Sequence, residues 1–202
     1  MKNIIVFGLL FYCLGGFAQK KSDDLSAYTQ LTKKYQDRDS LVKYIKPDSA
    51  FTYWEYVDDF ASRQRVLYSR GKKPDSVKFK RPIGGFFHGC LPAYCDRYIA
   101  FIYNGKVGYA SSPAQFENFL GKIDNLEEAV LLAEISDEAY FADTSKSGGA
   151  YLKTVNGYKL ILTKANWCPL TKVAFEITIE NNTITQYINK GVYLKTTDCI
   201  LF

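Results

Sequence analysis

A single histidine, His88, stands in the 202 residues, and its solitude excludes any site built from several imidazoles, including the His-Glu-x-x-His peptidase centre. The chain contains no Gly-x-Ser-x-Gly elbow for a serine nucleophile. Its most glycine-rich stretch, Gly84-Gly85-Phe86-Phe87-His88-Gly89, is not followed by Gly-Lys-Ser/Thr, so it forms no phosphate-cradling loop and reads as a sharp turn packed against aromatics. Strong net charge is missing as well, with 26 basic against 21 acidic side chains. A polyanionic partner such as nucleic acid is not implied. The apolar run of residues 4–17 covers 14 residues, where a spanning helix needs about 20, so no membrane span is expected in the mature chain.

That short run has another reading. A basic start at Lys2, the apolar segment, and small residues at Gly16 and Ala18 before polar Gln19 form the pattern of a secretory signal peptide over residues 1–18. Bulky Tyr12 before Cys13 argues against lipid attachment. The sequence therefore predicts a periplasmic or secreted protein of 184 residues beginning at Gln19. Loss of Lys2 lowers the net charge from +5 to +4.

Four cysteines remain in that mature chain, an even number that predicts two disulfides in an oxidising compartment. Of the three pairings, Cys90 with Cys95 and Cys168 with Cys199 is favoured. The first pair flanks the turn-forming Leu91-Pro92-Ala93-Tyr94, and the second ties the final residues back.

Basic charge is clustered. Arg63, Arg65, Arg70, Lys72, Lys73, Lys78, Lys80 and Arg81 fall within nineteen residues, opposed only by Asp75. Such a run is either a solvated basic loop or a patch for an anionic surface: lipid phosphates, an acidic glycan or an acidic protein face. Aromatics at 16%, sixteen of them tyrosine, suit both sheet packing and a binding face.

Residues 22–46 space Leu25, Tyr28, Leu31, Tyr35, Val42 and Ile45 at helical steps, predicting one amphipathic helix or two short ones after Ser22 and before Pro47. Phe51, Trp54, Val57 and Phe60 also recur at helical spacing and predict a helix, although Phe51, Tyr53, Glu55 and Val57 alternate as a strand would. Residues 71–89 are expected to be irregular. Asn104-Gly105 and Asn156-Gly157 each mark a tight hairpin, and Asn181-Asn182 turns a third. Another strand is expected over 192–196. Between the first two hairpins, Ser112-Pro113 starts one helix and Asp124 caps a second, while residues 143–149 read as a flexible polar loop.

The expected architecture is α+β: about seven antiparallel strands with two inserted helices packed on them, an N-terminal helical and basic segment at 19–83, and a sheet domain at 84–202, stapled by disulfides. The expected function is non-catalytic binding of another protein at the cell envelope, of the immunity or inhibitor kind, without cofactor or metal. Its candidate binding residues are the eight basic side chains with Phe86, Phe87 and Tyr94. One alternative is an envelope hydrolase or thiol enzyme using His88 as base with Cys90 or Cys95 as nucleophile. Another is a glycan-binding module, which would require aromatic platforms. Metal binding by His88, Cys90, Cys95 and Asp96 fits no common zinc spacing.

Overall fold

The computed structural model describes residues 25–61, 63–87 and 95–200. Among the described residues nine strands lie in two antiparallel sheets rather than one. The first sheet holds β2 (Phe51–Phe60), β3 (Arg63–Gly71), β4 (Cys95–Tyr103) and β5 (Lys106–Ala110) in the order β3-β2-β4-β5. The second holds β1 (Thr29–Gln30), β6 (Ala150–Lys153), β7 (Gly157–Trp167), β8 (Leu170–Glu180) and β9 (Thr183–Lys195) in the order β1-β6-β7-β8-β9. Three short α-helices among the described residues accompany them: α1 (Arg38–Leu41), α2 (Pro113–Leu120) and α3 (Leu126–Asp137).

The expected turns do their work with different backbones. Asn104 and Gly105 both take positive φ, at 48° and 74°, and Asn181 and Asn182 do the same at 50° and 73°, as a two-residue hairpin with right-handed strand twist requires. Asn156-Gly157 differs from the expected tight turn. Residues 154–156 form a longer loop closed by the Thr154 N–H donating to Gly157 O, and the backbone of Ile179 passes so near Gly157 that a Cβ there would clash with its carbonyl oxygen. The expected strand at 192–196 is the end of β9, which runs unbroken from the Asn182 turn.

Both inserted helices start close to their predicted points. Ser112 caps α2 by accepting from the Gln115 N–H, with Pro113 in the first turn. Asn125, one residue after the predicted Asp124, caps α3 by accepting from Glu128 N–H. Residues 129–133 of α3 are apolar and buried without a break, so the middle of this helix is enclosed on every side. One core joins it to Trp54, Tyr56 and Ile99 of the first sheet and to Leu160, Leu162, Ile177 and Ile179 of the second.

Two helix expectations are overturned. Residues 51–60 form β2, paired on both sides with β3 and β4. Its helical spacing was misleading because both faces are buried. Trp54 and Tyr56 enter the main core, whereas Val57 on the opposite face packs with Phe79, Tyr98, Ala100 and Tyr109. The described part of 22–46 is not an amphipathic helix but β1, then α1 between 3-10 turns at Lys33–Gln36 and Val42–Tyr44. Leu31, Tyr35, Leu41, Val42 and Ile45 nevertheless enter the core.

The loop at 143–149 is folded on itself. Asp143 accepts from the backbone and hydroxyl of Ser145, Ala142 N–H donates to Gly148 O, and Lys146 Nζ donates to Leu25 O at 2.8 Å. Cys168 and Cys199 form the expected disulfide. No helix among the described residues is long and apolar enough to cross a membrane.

Candidate functional site

Strand β2 carries Glu55, Asp58 and Asp59, exposed by only 6%, 7% and 1%, and β4 sets Asp96 directly opposite Asp59. Buried carboxylates need partners, because desolvation costs more than an unpaired charge recovers. The basic segment supplies them. Lys73 Nζ lies 3.4 Å from Glu55, Arg65 Nη2 3.1 Å from Asp58, and Arg81 Nε 2.6 Å from Asp59. Arg70 donates to Ile45 O at 3.3 Å. Beyond β3 the chain crosses the outer face of β2 as a strap: the Phe79 ring stacks on Tyr53 with Lys73 above it, and the Lys80 N–H donates to Tyr109 Oη.

The predicted patch therefore divides. Arg65, Arg70, Lys73 and Arg81 reach down to buried carboxylates or a backbone carbonyl and act as fasteners, while Arg63, Lys72, Lys78 and Lys80 are exposed and form no ion pair among the described residues. Beside them Val66 and Ile83 stand 50% and 101% exposed.

A second charge cluster lies on the core side of β2. Arg97 Nη1 meets Asp58 at 2.5 Å and Nη2 meets Asp39 at 3.4 Å, and Tyr56 Oη donates to Asp39 at 2.9 Å. Burial, then the Asp39 carboxylate, push the Tyr56 phenol well above its usual range. On α3, Glu128 accepts from Lys46 N–H and Asp124 N–H, both at 2.7 Å, clamping the helix start to the chain before β2.

Of the aromatic candidates, Phe86 is a core residue whose backbone pairs with Arg97. Phe87 is half-buried, takes a positive φ of 57°, and carries the Arg38 guanidinium 3.7 Å above its ring. His88, Cys90 and Tyr94 lie outside the described residues. Cys95 is disulfide-bonded and buried, so its sulfur offers no thiolate for the thiol alternative. Among the described residues no three His, Cys, Asp or Glu side chains gather as metal ligands.

Two concave sites were missed from the sequence. One is a pocket of about 380 Å³ where the strap, the start of α2, the end of α3 and β7 meet. Glu134 forms part of its lining, 3% exposed, with Arg38 Nε 3.5 Å from Oε2. Burial lifts the Glu134 carboxyl to about 7, against the opposing pulls of Arg38 and the Phe141 N–H. The available signal was a lone carboxylate between Ala133 and Ile135 in an otherwise apolar helical run. The other is an aromatic cleft of about 390 Å³ in which Phe51, Phe101, Tyr103 and Phe119 meet ring to ring, with Asn118 on its edge.

Compared with known proteins, the chain matches no family model, no curated protein and no solved structure.

Proposed function

We propose that this chain is an exported, non-catalytic binding protein of the cell envelope, and that its partner is a protein with an acidic face, of the immunity or inhibitor kind. The observation that carries this reading is the division of the basic segment. Neighbouring cations fix the strap to β2, and Arg63, Lys72, Lys78 and Lys80 are left exposed without ion pairs on a braced support. Preorganised charge steers an oppositely charged partner without ordering a loop at the moment of contact. Export is supported by the signal-like pattern of residues 1–18 and is compatible with the Cys168–Cys199 disulfide.

The test is affinity capture of the tagged protein from envelope and culture fractions, with mass spectrometry, beside a variant carrying R63E, K72E, K78E and K80E. One stoichiometric acidic partner, lost in the variant and weakened by salt, is the expected result. An empty capture, or a partner retained equally by the variant, would sink this reading.

Glycan binding is a second reading, favoured by the aromatic cleft at Phe51, Phe101 and Tyr103. Stacking of a sugar ring there would quench tyrosine fluorescence, and Tyr103→Ala would abolish the quenching. A cleft that stays silent toward envelope polysaccharides excludes it.

A further inference from the structure

The pocket beside Glu134 has a charge arrangement that the protein-binding reading does not use. Its apolar walls are Phe86, Phe87 and Ile135, and its charged lining is Glu134, Glu138 and Lys164. Glu138 and Lys164 form no ion pair among the described residues, neither with each other nor with another side chain, although they line one pocket. The Lys164 ammonium instead faces the rings of Phe175 and Tyr187 at 5.6 and 5.0 Å from their centroids. Deeper in, Glu134 Oε2 accepts no hydrogen bond while buried, and Arg38 Nε stands 3.5 Å away.

Glu134 is buried, Lys164 half-buried and Glu138 exposed at the pocket rim; a buried carboxylate oxygen ordinarily accepts a hydrogen bond, and that of Glu134 has the Arg38 ion pair without one. Opposite charges held apart across apolar walls, with a carboxylate oxygen still open to a donor, complement a ligand that bears both signs of charge on an apolar body. A volume of about 380 Å³ falls in the range of small-molecule sites.

We propose that this pocket binds a small zwitterion, an amino acid or dipeptide with an apolar side chain, whose ammonium meets Glu134 and Glu138 and whose carboxylate meets Lys164. The end of α3 adds to this polarity, because the carbonyls of a helix C-terminus favour a cation. The site is independent of the exposed cations of the basic segment, so it can stand or fall without them.

The probes are leucine and leucyl-leucine, set against 4-methylpentanoate, which lacks the ammonium, and 3-methylbutylamine, which lacks the carboxylate. Amide chemical shifts of the ¹⁵N-labelled protein are followed during titration. The expected result is saturable shifts at Phe86, Ile135 and Lys164 with leucine or its dipeptide, and affinity at least about tenfold lower for either single-charge probe. Whichever zwitterion binds more tightly separates a free amino acid from a peptide source. Lys164→Met and Glu138→Gln, both near the surface, are expected to weaken binding about tenfold each with the remaining spectrum unchanged. Absence of saturable shifts with both zwitterions, or equal binding of a single-charge probe, overturns the proposal.

Discussion

Strands β2 and β7 are both flanked by partners on either side, and both bury residues on each face, yet they do so with different chemistry. β7 has no acidic residue; Leu160 and Leu162 enter the main core, while Ile161 meets Tyr28, Ala150 and Ala174 on the far face. β2 buries three carboxylates, and its outer face closes only because Lys73 and Arg81 of the strap come down onto Glu55 and Asp59. Two-sided coverage by apolar groups is forgiving, since each side chain contributes its area independently. Coverage by ion pairs is not, because removal of one partner strands the other in a poor solvent. The four-stranded sheet thus depends on cations from outside β2 to pair its buried carboxylates, and the five-stranded sheet mainly on apolar area and one disulfide, with the ion pairs of Lys159 and Lys190 to Glu176 beside them.

The sharpest way to break this contrast is Arg97→Met, which leaves Asp58 and Asp39 facing each other's neighbourhood without their shared cation. A loss of about 3–5 kcal/mol is expected in urea unfolding; a loss below about 1 kcal/mol would show that the ion pairs are incidental. Next comes the five-stranded sheet's own fastener. Replacing Cys168 and Cys199 by serine opens a loop with a sequence separation of 31 residues and should lower stability by about 3–4 kcal/mol, read by the same denaturation.

Glu134→Gln sharpens the comparison by titration. The folded carboxyl, near 7, lies above its ordinary 4.5, so the unfolded chain releases its proton first and stability falls as pH rises between these values. The contribution is fully present below about 4.5, gone above about 7, and amounts to about 3 kcal/mol. The difference between wild type and variant in unfolding free energy from pH 4 to 8 should trace that slope; a pH-independent difference would contradict it. The smallest effect belongs to Lys78→Ala, which removes an exposed cation with no ion pair among the described residues and should change stability by no more than about 0.5 kcal/mol. A larger loss would place Lys78 among the fasteners.

What the sequence disclosed was local. Asn104-Gly105 and Asn181-Asn182 need positive φ, Ser112-Pro113 needs a helix start, and these signals act within a few residues of themselves. The Cys168–Cys199 pairing also followed from spacing and count. β2 reads as a helix because burial on both faces blurs the alternation of Phe51, Tyr53, Glu55 and Val57 with apolar Trp54 and Tyr56 between them, leaving Phe51, Trp54, Val57 and Phe60 at an accidental helical interval. The same accident governs Leu31, Tyr35, Leu41, Val42 and Ile45, which reach the core from successive turns rather than along one helix face. Charge partners were beyond local reading. Nothing near Asp59 announces Arg81, and nothing near Arg38 announces Glu134, since the fold and not the local sequence brings them together. The adjacent acids Glu127 and Glu128, typical of a solvated first turn, instead reach Lys34 and the Lys46 backbone.

The two residues of β1 carry a consequence for how the chain can be assembled. Thr29 and Gln30 pair with Tyr151 and Ala150, so the earliest strand closes the edge of the sheet built from the last part of the chain. As synthesis proceeds from the N-terminus, β2 to β5 can find one another while β1 still has no neighbour. A ribosome-stalled fragment ending before β6 should therefore protect β2 and β4 from proteolysis and leave the chain around Tyr28 open to cleavage. Completion of the C-terminal sheet is then the event that fastens the beginning of the described chain to its end.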